Sequence, residues 1–97
     1  MKKVSHLNIS ARQLQQNKID KLFFNTEGVK KADECKFDEA IEYFTKAAKL
    51  EPEDSLSYFN RATVKMEIGN LPGARSDFIL SESCRLSIIL SNKLGMN

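Results

Sequence analysis

The sequence is poor in the residues that build metal sites and disulfide frameworks. Its 97 residues contain no tryptophan, two prolines, one histidine (His6) and two cysteines, Cys35 and Cys84, which are not close enough to form a Cys-x-x-Cys pair. Zinc sites need clusters of cysteine and histidine, and disulfide frameworks need several cysteines. We therefore expect reduced thiols, no metal and no other cofactor.

Long apolar runs are also missing. No stretch of about 18 consecutive apolar residues occurs, and the basic start Met1-Lys2-Lys3 is not followed by the apolar segment of a signal peptide. The sequence accordingly predicts a chain with no membrane partner and a cytoplasmic location. A length of 97 residues predicts one small domain, covering residues 1–97.

An excess of one charge is lacking overall but present locally. Fifteen basic and 13 acidic residues give a net charge of +2, which is too balanced for a general nucleic-acid binder. Residues 1–31 hold seven basic and two acidic side chains, whereas residues 32–54 hold three basic and eight acidic ones. We expect the first two helices to neutralise each other; the alternative is that Lys18, Lys21 and Lys30 attract an acidic partner.

Residue patterns of enzymes are absent from the sequence. It offers no nucleophile beside a base, no carboxylate pair in an apolar segment and no phosphate-binding glycine loop. Cys35 falls in a tight turn, where a small residue is wanted and a reactive thiol is the less favoured interpretation. The sequence predicts a non-catalytic protein.

Apolar residues recur at spacings of three and four, which predicts an all-helical chain. The first helix is expected from a Ser10 cap to about Glu34, and the second from Asp38 to Leu50. The third is expected over 55–68 with Asp54 as its cap, and the fourth begins near Pro72. Two ends remain open for the fourth helix: it runs on to Gly95, or it breaks near 85–87 before a short fifth helix.

The sequence resembles itself when it is shifted along its own length so that Phe24 falls on Tyr58. This shift, which we call the repeat displacement, superimposes small residues on small ones and large residues on large ones. It also places Gly28 on Ala62, Phe37 on Leu71, Ala40 on Ala74, Phe44 on Phe78 and Ala47 on Ser81. Small residues let helix axes approach while aromatic rings fill the adjoining gaps. The pattern predicts a duplicated helix pair.

These residues resemble the tetratricopeptide repeat family, especially in the stretch Phe37–Pro52. The resemblance implies a right-handed α-α superhelix with a concave face. It places repeat one at about 21–54 and repeat two at about 55–87, between an N-terminal extension (1–20) and a C-terminal extension or capping helix (88–97). The second repeat is most similar to co-chaperone domains of the family.

The family resemblance implies that the first helix of each pair lines the concave face. The expected binding strip consists of Leu22, Asn25, Thr26, Val29, Phe59, Asn60 and Thr63. Apolar side chains mixed with amides and hydroxyls suit a peptide or protein segment. The chain is thus expected to be an adaptor for another protein.

The sequence leaves two functions open besides the adaptor: a homodimer, ranked second, and a carboxylate clamp, ranked third. In the co-chaperone domains, lysine, arginine and asparagine side chains clamp the terminal carboxylate of a chaperone tail. Asn60 matches that pattern, but Asn25 replaces a lysine and Val29 an asparagine, so a degenerate clamp ranks third. The second alternative is a homodimer, because aliphatic residues crowd the C-terminal segment, with Leu86, Ile89, Leu90 and Leu94 as the expected interface.

Arg61 and Asp77 are predicted to approach each other between the helices of the second repeat. We interpret them as a structural ion pair rather than a ligand site.

Overall fold

The computed structural model describes residues 9–95. His6, the first eight residues of the predicted N-terminal extension and the last two of the C-terminal extension lie outside the described residues.

Four helices make up the described chain: α1 (Ala11–Asp33), α2 (Phe37–Leu50), α3 (Ser55–Glu67) and α4 (Leu71–Lys93). Each helix begins and ends within one or two residues of its predicted bounds, except for the end of α4, which the sequence left open. The prediction of an all-α fold is confirmed.

Capping side chains fix where the helices begin. The Ser10 hydroxyl accepts a hydrogen bond from the Gln13 amide at 3.1 Å, and the Asp54 carboxylate accepts one from the Leu56 amide at 3.1 Å. At α4, the Asn70 side chain accepts from the Gly73 amide. These bonds satisfy amides that a helix start leaves without intrahelical partners. The predicted caps at Ser10 and Asp54 are confirmed.

The fourth helix is continuous to Lys93, so the alternative of a break followed by a fifth helix is wrong. Between Ala74 and Lys93 the sequence contains neither glycine nor proline, and nothing there interrupts the backbone hydrogen bonds. Gly95 then adopts a φ of +74°, the left-handed conformation that ends many helices.

The helices pack as two pairs in series. Helix α1 packs against α2 and α3 against α4, while α3 also contacts α2 and α1. The core cluster joins Ala40 and Phe44 of α2 to Val64 of α3. Around it lie the partly buried side chains of Ala32, Phe37 and Ile41. Val64 therefore occupies a pocket that the first pair supplies.

Gly28 and Phe44 bring the first pair into close contact. A Cβ atom built on Gly28 would lie 2.7 Å from Cδ1 of the Phe44 ring, well inside van der Waals contact. The small-against-large pairing predicted from the repeat displacement is therefore present at this contact.

Both pairs turn in the same way between their helices. After α1, the Cys35 amide donates to the Ala32 carbonyl and the Lys36 amide to the Lys31 carbonyl, at 2.9 and 2.8 Å. After α3, the Gly69 and Asn70 amides donate to the Met66 and Lys65 carbonyls, at 3.0 and 2.8 Å. The repeat displacement superimposes the two sets of residues, and each set is a Schellman motif.

Ion pairs balance part of the charge segregation, mainly between α1 and the α2–α3 connection and, between α1 and α2 themselves, by Lys31 and Glu39 at 3.6 Å. Lys18 and Lys21 of α1 form ion pairs with Glu51, at 3.2 and 2.9 Å, and Lys21 also pairs with Asp54 at 2.7 Å. Burial lowers the pKa of Lys21, but the hydrogen bonds that its ammonium group donates to these carboxylates outweigh burial and raise that pKa. Lys21 thus fixes the α2–α3 connection to α1.

Candidate functional site

The predicted binding strip lies on α1 and α3, the two first helices of the pairs. Leu22, Val29 and Phe59 are large apolar side chains that remain exposed, and Phe59 is 50% exposed. Thr26 and Thr63 are exposed beside them. The Thr63 hydroxyl donates to the Phe59 carbonyl at 2.9 Å, so its proton is already used within α3.

Asn25 differs from the prediction, because its side chain is buried and only 4% exposed. Its amide donates to the Ser57 hydroxyl at 3.1 Å, and the Asn60 amide approaches its carbonyl oxygen at 3.5 Å. Buried amides need such partners, and these come from α3. Asn25 therefore joins α1 to α3 and does not belong to an open binding strip.

Phe59 is the counterpart of Asn25 in the second pair, because the repeat displacement places Asn25 on Phe59. It packs edge to face against Phe78 of α4, with ring centroids 5.6 Å apart. Such aromatic pairs are favourable at this spacing. Phe59 thus borders the α3–α4 face as well as the strip, whereas its counterpart is covered by α3.

The predicted Arg61–Asp77 ion pair is present in the structure. The Arg61 guanidinium donates to both carboxylate oxygens of Asp77, at 2.7 and 2.8 Å, and to the Thr45 hydroxyl of α2 at 3.0 Å. Lys65 adds a third contact to Asp77 at 3.0 Å. Burial alone would raise the pKa of Asp77, but hydrogen bonds from Arg61 and Lys65 hold it below its ordinary value.

The predicted oligomer residues lie along the last turns of α4. The side chains of Leu86, Ile89, Leu90 and Leu94 are all exposed. Leu86, Ile89 and Leu90 belong to the unbroken α4, and Leu94 is its C-cap residue.

A groove between α3 and α4 was not predicted from the sequence. Side chains of α3 and α4 line a shallow groove of about 450 Å³, which we call the end groove: Met66, Leu71, Ala74, Arg75, Phe78, Ile79 and Glu82. The repeat displacement was the signal that could have found it, because Phe37, Ala40 and Phe44 correspond to three of its residues.

Cys35 is exposed in its turn, and Cys84 is partly buried with its thiol 3.6 Å from the Pro52 carbonyl. Burial raises the pKa of the Cys84 thiol. Over residues 9–95, no cluster of three His, Cys, Asp or Glu side chains is placed to hold a metal ion. Within the same range, none of the helices combines the length and apolarity needed to cross a membrane.

Comparison of the chain with known proteins places it in no family: no protein-family model, no curated protein and no solved structure gives a significant match.

Proposed function

We propose that the chain is a non-catalytic interaction module of the tetratricopeptide type, which binds a segment of another protein along Leu22, Thr26, Val29, Phe59, Asn60 and Thr63. The observation that carries this proposal is the exposure of Leu22, Val29 and Phe59 on two adjacent helices. Large apolar side chains exposed together mark interaction surfaces. The repeated Schellman turns and the Gly28–Phe44 contact support the repeat assignment.

The chemistry of the strip favours an apolar peptide over an acidic one. Lys18 and Lys21, two of the three lysines that could attract acidic groups, are paired with Glu51 and Asp54, whereas Lys30 is exposed and forms no ion pair with another described residue. Affinity would then come from apolar side chains of the peptide resting on Leu22 and Val29. We expect binding of this kind to depend only weakly on salt.

A selected peptide tests the proposal. Twelve-residue peptides are selected from a random library on the wild-type chain, and their affinities are measured by fluorescence anisotropy. The double variant Leu22→Glu/Val29→Glu is expected to bind at least about tenfold more weakly, which corresponds to about 1.4 kcal/mol. Leu80→Glu is the control, because Leu80 is an exposed aliphatic of α4 outside the strip. Equal affinity of both variants for every selected peptide would contradict the proposal.

A second candidate function is homo-oligomer assembly through Leu86, Ile89, Leu90 and Leu94. The specific observation in its favour is the exposure of all four side chains, three of them on the continuous α4 and the fourth on its C-cap residue, Leu94. Covering an exposed aliphatic side chain is worth up to about 1.5 to 3 kcal/mol. The double variant Ile89→Glu/Leu90→Glu should therefore shift a dimer to monomer in sedimentation velocity, and an unchanged dimer would count against this interface.

The carboxylate clamp is the least favoured function. Asn25, which replaces a lysine of that pattern, is buried and bonded to Ser57, so it is not available to a chaperone tail. A cytoplasmic location remains part of the proposal, supported by two cysteines that are not bonded to each other.

A further inference from the structure

The end groove has a counterpart in the first helix pair. The repeat displacement relates its lining residues, in order, to Ala32, Phe37, Ala40, Ile41, Phe44, Thr45 and Ala48. In the first pair this surface is covered by α3, because Val64 packs on Ala40 and Phe44, and Arg61 donates to Thr45. The fold therefore shows which element fits such a groove: a helix with a branched aliphatic side chain opposite the phenylalanine.

The equivalent surface of the second pair is open and more apolar at its centre. Ile79 stands in place of Thr45 and is 56% exposed, and Leu71 in place of Phe37 is 63% exposed. Two charged residues flank this centre on α4: Arg75 replaces Ile41, and Glu82 replaces Ala48.

The residues on this face of α4 are arranged symmetrically about the midpoint between Phe78 and Ile79. Arg75 and Glu82 lie at equal distances along the sequence from that midpoint, and so do Leu71 and Leu86. Spacings of three and four put these residues on one helix face. A second copy of α4 laid antiparallel over that midpoint would place leucine on leucine at both ends and arginine on glutamate twice.

We propose that the end groove is occupied by α4 of a second copy of this chain, related by a twofold axis through the Phe78–Ile79 midpoint. Ile79 of the second copy then packs against Phe78 as Val64 packs against Phe44. Arg75 of each copy faces Glu82 of the other. Glu82 already pairs with Arg85 of its own helix, but both side chains of that pair are exposed, so the pairing is weak and can be shared.

A head-to-tail stack of copies fits this groove less well. In such a stack α1 of the next copy would take the place of α3, and Lys30 would stand where Val64 stands, since the repeat displacement superimposes them. A lysine ammonium at that position would lose its water against the Phe78 ring and Ala74. The twofold arrangement avoids this cost and closes after two copies.

This inference rests on the second candidate function, homo-oligomer assembly, but assigns it to a surface that shares only Leu86 with the interface proposed there. The dimer is held by the end groove and the charges flanking it, and the side chains of Ile89 and Leu94 are not required. It is independent of peptide binding on the strip.

Charge reversal tests the arrangement in sedimentation equilibrium over a dilution series. The wild-type chain should be a dimer that dissociates on dilution. Arg75→Glu places like charges opposite each other, as does Glu82→Arg, so each should weaken the dimer at least about tenfold. The double variant Arg75→Glu/Glu82→Arg restores both pairs and should return to within about threefold of wild type.

Mixing the two single variants provides a stricter test. The proposed geometry predicts a heterodimer from Arg75→Glu and Glu82→Arg chains that is tighter than the homodimer of either variant. Circular dichroism verifies that every variant remains helical.

The variant Ile89→Glu/Leu90→Glu, which alters the C-terminal interface of the second candidate function, distinguishes the two interfaces. If this variant abolishes a dimer that the charge variants leave intact, the dimer forms through the C-terminal interface and the end-groove proposal is wrong. A wild-type chain that is monomeric at about 1 mM overturns the proposal too, and the groove would then suit a helix of another protein. Failure of the double charge reversal to restore the dimer also overturns it.

Discussion

Cys35 and Gly69 occupy the same position of the two helix pairs and share a left-handed backbone, with φ angles of 62° and 83°. Each is the residue in the Schellman motif whose amide donates to a carbonyl three residues earlier. Glycine tolerates this conformation, whereas a residue with a Cβ atom is strained by about 1 to 2 kcal/mol. The first turn thus carries a strain that the second does not.

Replacing Cys35 with glycine should therefore stabilise the chain. Relief of strain exceeds the entropy that glycine adds to the unfolded chain, about 0.5 to 1 kcal/mol, so a net gain of about 0.5 to 1 kcal/mol is expected. Gly69→Ala should cost a similar amount, since nothing lies within 4 Å of its added Cβ atom and only the φ angle opposes it. Urea unfolding measures both, with Cys35→Ala as the control that should change little. Equal stability of the Cys35→Gly and Cys35→Ala variants would contradict this account.

Asp77→Asn should destabilise the chain by about 3 kcal/mol. The substitution leaves Arg61 and Lys65 without the carboxylate that they share, and breaking a largely buried pair costs about this much. Glu34→Gln is the control, because its pair with Lys36 is exposed and contributes about 0 to 1 kcal/mol. Thermal unfolding at neutral pH distinguishes the two, and a loss no larger than the control's would mean that Asp77 is not structural.

Acid should destabilise the wild-type chain through three carboxylates. The Lys21 hydrogen bond is the main cause that lowers the pKa of Glu51. At Asp54 and Asp77 burial raises the pKa, but hydrogen bonds from Lys21 and from Arg61 outweigh it, so both pKa values are lowered. In the unfolded chain these groups titrate near pH 4, so the unfolded state binds more protons in acid. Stability is complete above about pH 5 and falls as the pH drops.

The Asp77→Asn variant should show a shallower loss of stability between about pH 5 and 3. It has lost one of the three groups, and each group contributes at most about 1.4 kcal/mol per pH unit. Urea unfolding over this pH range measures the slope. A slope identical to that of wild type would exclude Asp77 as a contributor.

Gly28→Ala should destabilise the chain although alanine is the better helix former. The gain in helix propensity is about 1 kcal/mol, but the new Cβ atom would lie 2.7 Å from Cδ1 of the Phe44 ring, and overpacking typically costs about 1 to 3 kcal/mol. Phe44→Leu in the same chain should recover part of the loss. A double-mutant cycle gives the coupling, and additive effects would rule out the contact as the cause.

Asn25→Ala should lower stability by about 1 to 2 kcal/mol, because Ser57 is fully buried and would lose its hydrogen-bond partner. Adding Ser57→Ala should recover much of this loss, since both polar groups are then gone. Affinity for peptides selected on the strip should stay within about twofold. A large loss of affinity without a loss of stability would return Asn25 to the binding site.

Helix positions were predictable from the sequence because their signals are local. Ser10 and Asp54 cap helices through hydrogen bonds to residues two or three positions away, and glycine and proline mark where helices end and begin. The Arg61–Asp77 pair was predictable because the family resemblance aligned its two helices. Neither the helix positions nor this ion pair depends on which surfaces of the fold remain exposed.

Exposure was not predictable in the same way, since it depends on which element packs next to each repeat. Asn25 and Phe59 hold equivalent positions, yet α3 buries the first, whereas the second packs on Phe78 of α4 on one side and stays 50% exposed. For the same reason no sequence pattern singles out Ile79, whose counterpart Thr45 contacts Arg61. The continuous α4 was one of two open alternatives, because the sequence between Ala74 and Lys93 permits helix throughout.

Lys21 joins α1 to both Glu51 and Asp54, the residues at either side of the link from the first helix pair to the second. The Lys21 ammonium group thereby limits how far the two helix pairs can rotate relative to each other about that link. In the peptide complex proposed above, the arrangement of α1 and α3 would be set before binding, so association would restrict mainly the peptide's own freedom.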